Sequence, residues 1–156
     1  MWGPRREEPE VAETKPSITQ RAVPFLAYED VGAAVEWLER AFGFRHTGER
    51  YTNPESRVTH AEIELDGATV MLGWPGPDYQ SPATHAQVCE HARRWLDVPY
   101  IVDGALIYVD DVDAHYECAR SAGATILSEP KSEPYGRLYR VADLEGHRWM
   151  FMQAAE

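Results

Sequence analysis

Some segments of this chain have the apolar pattern of a strand, and others have apolar residues at steps of three and four, as a helix does. The same order of strand and helix patterns occurs twice. The first series opens with an apolar run at 23–28, which predicts a strand, and Asp30 then stands where a helix N-cap is expected. Apolar residues recur at steps of three and four over 31–42, and Gly43 is placed to end the helix. A strand at about 44–51 completes this part of the pattern.

A hairpin follows, with strands at 58–65 and 68–74 joined by Asp66-Gly67, a strong signal for a two-residue turn. After Trp74 the pattern breaks at Pro75-Gly76-Pro77. We interpret residues 75–103 as a linker that carries a short helix over 83–96 and stops at Pro99. Residues 1–20 show almost no apolar periodicity, which is typical of a flexible tail.

The second series has the same order. It predicts a strand at 104–109, an N-cap at Asp111, a helix over 112–122 closed by Gly123, a strand at 124–128 and a hairpin from 136–142 and 147–153. The segment Glu29-Asp30-Val31 aligns with Asp110-Asp111-Val112, and Leu65-Asp66-Gly67 aligns with Leu144-Glu145-Gly146, so that Met71 matches Met150.

These matches predict an α+β fold of two βαβββ modules in a single domain at 21–153. Module one covers 21–74 and module two covers 104–153. A four-stranded sheet with one helix has an uncovered face, so we expect the modules to form a paired, curved mixed sheet around a cavity.

Composition narrows the function classes. The net charge of −11 argues against nucleic acid and anionic membranes, which select for basic surfaces. Cys89 and Cys118 show no metal-ligand spacing and indicate a reducing compartment. The chain has no apolar run of membrane-spanning length and no signal-peptide core, so we expect a cytoplasmic protein. No phosphate-cradling glycine loop or Gly-x-Ser-x-Gly elbow occurs, and we expect no cofactor.

Strand alternation predicts which side chains line the cavity, because neighbours along a strand point to opposite faces. Trp149 and Phe151 suit the helix side of their hairpin. An apolar wall with few polar groups suits an aromatic or hydrophobic small molecule, although these side chains could simply pack on one another. The predicted ligand-binding residues are Phe25, Met71, Tyr108, Arg137, Tyr139, Met150 and Met152.

His60 and Glu62 lie two apart on one strand and therefore point into the same space. A carboxylate beside an imidazole can act as an acid/base unit, so these two are the candidate catalytic residues. Alternatives are a structural hydrogen-bonded pair, or a metal site completed by His46. We expect His147 to brace the turn that precedes it, and His85, His91 and His115 to lie on exposed helix surfaces.

Several segments resemble the vicinal-oxygen-chelate superfamily of glyoxalases, bleomycin-resistance proteins and dioxygenases, in an uncharacterised branch, over about residues 22–153. These segments are Tyr108-Val-Asp-Asp-Val-Asp113, Gly123-Ala124, Ser128-Glu-Pro130, Pro134-Tyr-Gly136, Asp143-Leu-Glu-Gly-His-Arg-Trp-Met-Phe151, Thr59-His-Ala-Glu-Ile-Glu64 and Asp66-Gly-Ala-Thr-Val-Met-Leu72.

The resemblance implies that metal-dependent members place His or Glu at four symmetric positions. Here those positions are about Val23, Met71, Gly104 and Met150, none of which suits a divalent ion, so we expect no metal. The leading expectation is a metal-independent protein that binds a small molecule. The alternative is a lyase, isomerase or dioxygenase-type enzyme that uses His60 and Glu62 or a non-standard metal site. We expect a twofold homodimer, with the cavity formed by one chain or shared by two.

Overall fold

The computed structural model describes residues 20, 22–97 and 104–155, and within them it shows two four-stranded sheets and four helices of which two belong to the linker. The predicted stop at Pro99 and nearly all of the predicted tail lie outside the described residues. The elements are β1 (Phe25–Ala27), α1 (Val31–Phe42), β2 (Arg45–Thr52), β3 (Val58–Leu65), β4 (Ala68–Gly73), α2 (Pro82–Val88), α3 (Glu90–Leu96), β5 (Gly104–Tyr108), α4 (Val112–Ser121), β6 (Thr125–Glu133), β7 (Gly136–Ala142) and β8 (Arg148–Ala154).

The two module helices begin in the same way. The side chain of Asp30 accepts a hydrogen bond from the backbone N–H of Ala33, and Asp111 does the same for Ala114, each at 2.9 Å. Both bonds satisfy one of the backbone donors that a helix start leaves without an intrahelical partner. Gly43 ends α1 in the left-handed region, at φ 74°, where a residue without a Cβ is favoured.

The two sheets have the same strand order, β1-β4-β3-β2 and β5-β8-β7-β6, with a parallel first pair and antiparallel pairs elsewhere. Met71 lies between Phe25 and Glu62 on the neighbouring strands. Met150 lies between Leu106 and Arg140 in the second sheet. The two methionines therefore occupy equivalent places, and the predicted α+β fold of two repeated modules is confirmed.

Two predicted elements differ from those observed. The single linker helix at 83–96 is broken at Cys89, whose φ of −125° and ψ of 115° are extended, so the segment forms α2 and α3. Strand β6 continues past the predicted end at 128 to Glu133 and includes Pro130. This strand lies at the edge of its sheet, where proline needs no partner for the N–H that it lacks.

One core joins the two modules through their helix sides. Phe42 at the end of α1 packs against Trp149 and Phe151 of β8, with ring centroids 5.8 and 5.0 Å apart. Phe44 also packs on Trp149, at 5.3 Å. The helix-facing residues of both sheets thus belong to one buried cluster. The opposite sides of the sheets lie on the outside of the chain, and the expected closure of the two sheets around a cavity does not occur within one chain.

His115 on α4 was expected at the surface, but it is half-buried between the modules. Its Nε2–H donates to the carbonyl oxygen of Phe42 at 2.9 Å, and its Nδ1 accepts from the hydroxyl of Tyr139 at 2.8 Å. Its ring also lies 4.0 Å from that of Phe151. The helix period alone did not show that a second module packs on this face of α4.

Acid should destabilise the fold through His115. Burial lowers the pKa of this side chain below its ordinary value, although the bond to Phe42 opposes the shift. The unfolded chain therefore takes up a proton near pH 6.5, where the folded chain does not, and stability falls as the pH decreases from about 7 towards 5. His115→Gln replaces the imidazole with an amide that can still form hydrogen bonds and does not titrate. In urea denaturation, the free energy of unfolding of this variant should fall less steeply with decreasing pH than that of the wild type. Equal pH dependence in the two proteins would contradict a role for His115 in the acid sensitivity.

Within the described ranges, no helix is both long and apolar enough to cross a bilayer.

Candidate functional site

Each sheet has an open face, which we define as the side turned away from its helix. In module one the strand pairing places His60 opposite Gly73, Glu62 opposite Met71, and Phe25 beside Met71 on that side. The predicted orientation of Phe25, His60, Glu62 and Met71 is therefore observed. Their role in binding or catalysis stays a prediction.

An aromatic cluster covers part of the open face of module one. The ring of Phe25 stacks on His60 with centroids 6.0 Å apart, and Tyr51 lies on the other side of His60 at 5.8 Å. Phe25 also lies over Gly73, where an added Cβ would come 2.4 Å from the ring. A glycine at this place lets Phe25 lie flat across the strand. Sequence reasoning missed Tyr51, because a bulge in β2 shifts its pairing.

His60 and Glu62 form the polar part of the same face. His60 Nε2 lies 3.8 Å from Glu62 Oε1, beyond hydrogen-bond length but within the range of an ion pair, and both side chains are partly exposed. The residue offered as a third metal ligand, His46, pairs with Ile63 and so points to the helix side of the sheet. The three predicted donors are not brought together.

The open face of module two carries Tyr108, Met150 and Met152, as the sequence predicted. Leu106 lies beside Met150 on this face. Tyr108 is 58% exposed and Leu106 is 43% exposed, whereas Met152 is almost buried. The exposed rings and aliphatic groups on both open faces form apolar surfaces that one chain leaves in contact with solvent.

The predicted orientation of Arg137 and Tyr139 was wrong by one residue. Tyr139 pairs with Phe151 and Arg137 with Gln153, so both point to the helix side. Tyr139 is fully buried against Phe151. The guanidinium of Arg137 donates two hydrogen bonds of 2.8 Å to the carboxylate of Asp113 on α4.

Leu138 and Arg140 face the open side in place of Arg137 and Tyr139. Leu138 pairs with Met152 and Arg140 pairs with Met150 on the open face. Arg140 therefore occupies in module two the position that Glu62 has in module one, since each lies opposite the central methionine. Val141 pairs with Trp149 and is buried on the helix side.

The four positions that hold metal in metal-dependent relatives do not fit a metal in this chain. Met71 and Met150 supply only thioethers there, and Val23 and Gly104 supply no side-chain donor. A thioether is a soft, weak ligand for divalent ions that prefer oxygen or nitrogen. Among the residues that the structure describes, no three His, Cys, Asp or Glu side chains lie together as a metal would need.

Curated relatives of this chain carry no functional description. A protein of Mycobacterium bovis named as uncharacterised is 30% identical over 135 residues, which cover 83% of this chain and 80% of that protein. An uncharacterised protein of Mycobacterium tuberculosis is also 30% identical, over 83% of this chain and 72% of its own length.

Solved structures share the fold. TioX from Micromonospora sp. ML1 is 32% identical with a TM-score of 0.61, and the match covers 88% of this chain and 98% of TioX. TnmS3 from Streptomyces sp. CB03234, described as an antibiotic-binding protein, is 17% identical with a TM-score of 0.58, over 89% of this chain and all of TnmS3. The family model of the Glyoxalase/Bleomycin resistance protein/Dioxygenase superfamily matches residues 20–151. With the repeated modules described above, this match shows that the chain belongs to that superfamily.

Proposed function

We propose that the protein is a metal-independent binder of a small aromatic or hydrophobic molecule, in a cavity that two copies of the chain form together. The observation that carries the proposal is the exposure of Phe25 and Tyr108 on opposite outer sides of one chain, at 61% and 58%. Apolar surface of this kind marks a binding or association site.

A second copy of the chain can cover the two open faces. The two open faces of one chain lie on either side of the shared core and cannot meet each other. In a twofold-symmetric dimer, module one of each copy can face module two of the other, so the same contact forms twice. Each dimer would then hold two equivalent cavities.

Charge favours this arrangement. Glu62 on the open face of module one and Arg140 on that of module two occupy equivalent positions. When two equivalent faces meet across an approximate twofold axis, positions close to that axis come opposite their equivalents, and Glu62 and Arg140, each paired with the central methionine of its sheet, are placed near it in the proposed dimer. A carboxylate would then oppose a guanidinium, and opposite charges select this pairing over the meeting of two like faces.

The walls of such a cavity suit an aromatic ligand. Phe25, Tyr51 and Tyr108 offer rings for stacking, while Met71 and Met150 adapt to irregular shapes. The description of TnmS3 as antibiotic-binding, in a protein of the same fold, agrees with sequestration of a small molecule as the purpose. Two free thiols, Cys89 and Cys118, agree with a place in the reducing cytoplasm.

A second candidate function is catalysis by His60 and Glu62. The 3.8 Å separation of His60 Nε2 and Glu62 Oε1 on the same open face favours it, because a small movement would let the carboxylate orient the imidazole as a base. Glu62→Gln keeps the shape of the side chain and removes its charge. For an enzyme, this change should alter the pH dependence of turnover; for a binding protein, no turnover of the bound molecule is found.

The binding proposal is tested with an uncharged fluorescent probe, N-phenyl-1-naphthylamine, together with light scattering. We expect a dimer at micromolar concentration that binds two probe molecules. Leu106→Glu places a charge on an exposed open-face position and should give monomers that no longer bind the probe. Val88→Glu on α2, which changes a more exposed apolar residue away from the open faces, should change neither property. A wild-type monomer that binds the probe, or a stoichiometric divalent metal in the purified protein, would contradict the proposal.

A further inference from the structure

A row of side chains crosses the open face of module one from one edge of the sheet to the other. Strand pairing places Gly73 of β4 opposite His60 of β3, and His60 opposite Tyr51 of β2. The register alone would leave a gap in this row at Gly73, which carries no side chain. Phe25 fills the gap, because its ring reaches from β1 over Gly73. Gly73 is buried under this ring, although it lies on an outer face of the chain.

The backbone on both sides of Phe25 is fixed by β4. The carbonyl oxygen of Pro24 accepts a hydrogen bond from the N–H of Met71 at 2.9 Å. The N–H of Tyr28 donates to the carbonyl oxygen of Gly73 at 2.8 Å. The place of Phe25 Cα is therefore set by the pairing of the two strands, and the ring can move only by rotation of its side chain.

A side chain at position 73 would displace the ring. A Cβ added to Gly73 would lie 2.7 Å from Cε1 of Phe25, whereas non-bonded carbons pack at about 3.5–4.0 Å. The backbone of β4 is held between β1 and β3, so the ring of Phe25 would turn away instead. Its stacking on His60 would end, because His60 lies directly opposite Gly73. Glycine at this position therefore sets where the ring of Phe25 lies.

The rings of Phe25 and His60 together form a floor on the open face. Their centroids are 6.0 Å apart and their planes differ by 23°, so the two rings are almost parallel. Tyr51 borders this floor, with its ring 5.8 Å from that of His60 and tilted by 53°. Phe25 and Tyr51 are both more than half exposed, so ring surface of each is available for stacking.

We propose that Gly73 selects a flat, fused ring system as the ligand, because it holds the ring of Phe25 in line with that of His60. A fused ligand can cover both rings at once and gains a stacking contact from each. A molecule whose two rings are twisted against each other can place only one of them on this floor. Gly73 is a positioning residue, since it acts through Phe25. The inference rests on the proposed binding function and names the class of molecule that the cavity would take.

Displacement of N-phenyl-1-naphthylamine by two uncharged competitors tests the inference. Carbazole is flat because a bond joins its two benzene rings, and diphenylamine has the same rings and N–H group without that bond. The wild-type dimer should bind carbazole about tenfold more tightly, which is the effect of one further stacked ring. Gly73→Ala should lose most of this preference and stay folded and dimeric, because only the end of a side chain has to move. The matched control is Gly32→Ala on α1, where the nearest side-chain atom would lie 3.4 Å from the new Cβ, and it should keep the preference.

A double variant separates positioning from a general effect of the substitution. Phe25→Leu removes the ring and should abolish the preference by itself. Gly73→Ala should then weaken carbazole little further in the Phe25→Leu chain, since both changes act on the same ring. Additive losses of carbazole affinity would overturn the inference. Equal affinity of the wild type for the two competitors, or an unchanged preference in Phe25→Leu, would also overturn it.

The results also distinguish this inference from the proposed function. A dimer that binds the fluorescent probe but does not prefer carbazole contradicts only the selection of flat ligands. A chain that binds neither the probe nor carbazole contradicts the proposed function, and this inference with it. Where Gly73→Ala gives monomers, Phe25→Leu decides alone: loss of the preference supports the inference, and a retained preference refutes it.

Discussion

Replacing Asp143 with alanine is expected to lower the free energy of unfolding by about 3–5 kcal/mol. This buried carboxylate accepts four hydrogen bonds: from the hydroxyl of Tyr28 at 2.6 Å, from Trp149 Nε1 at 3.0 Å, and from the backbone N–H groups of Glu145 and His147 at 3.0 Å each. Alanine would leave these donors buried without a partner, and burial penalises each of them. Tyr28 belongs to module one, so the variant should also loosen the contact between modules.

Urea denaturation measures the loss, and two variants serve as controls. Asp143→Asn keeps one carbonyl acceptor and should fall between the wild type and Asp143→Ala. Glu117→Ala removes an exposed carboxylate that pairs with Arg120 on α4, and should cost less than about 1 kcal/mol. A loss below about 1.5 kcal/mol for Asp143→Ala would show that water replaces the carboxylate and that the network is not essential.

Reversing the charge at Glu62 or Arg140 is expected to weaken the proposed dimer about 30-fold, or about 2 kcal/mol, because two like charges would then face each other between the copies. The double variant, Glu62→Arg with Arg140→Glu, exchanges the two charges and should restore most of the affinity. Recovery of this kind identifies residues that interact directly, since independent effects would add.

Analytical ultracentrifugation gives the dimer dissociation constants, and denaturation of each variant tests whether the monomer still folds. The same exchange at Glu117 and Arg120, an exposed pair within α4, should leave the dimer unchanged. A double variant weaker than either single variant would mean that Glu62 and Arg140 do not meet across the interface.

The sequence predicts module one well because a two-residue turn joins the strands of its hairpin. Asp66 and Gly67 alone join β3 to β4, at φ 48° and 85°, and a two-residue turn of this kind sets the strand register. With the register known, alternation places His60, Glu62 and Met71 on one face. The capping residues Asp30 and Asp111 were equally clear, since their contacts are local.

The second hairpin has a longer connection, residues 143–147, and its register does not follow from the turn. Trp149 and Phe151 were placed on the correct side, but alternation along β7 started one residue out, and Arg137 and Tyr139 were exchanged for Leu138 and Arg140. The hydrophobic pattern of β7 does not show which of its two faces is turned towards the helix, because Leu138 and Tyr139 are both buried although they point to opposite faces.

Contacts between the modules also could not be predicted from the sequence. The packing of Phe42 on Trp149 joins residues far apart in the chain, and no local pattern specifies it. The same holds for the space between α3 and the start of β8, which depends on how the linker helices pack near β8. Local periods determine which face of an element is apolar, but not which other element covers that face.

In the proposed dimer, the outward position of the two open faces would make ligand binding depend on the amount of protein. Neither half of the proposed cavity can retain its ligand in a solitary chain, so a complete site exists only above the dimer dissociation constant. The ligand and the second copy then promote each other's binding. A ligand that binds only the dimer shifts the monomer–dimer equilibrium towards the dimer. A cell that produces more of this chain would gain binding sites in greater than linear proportion, and dilution would release the captured molecule.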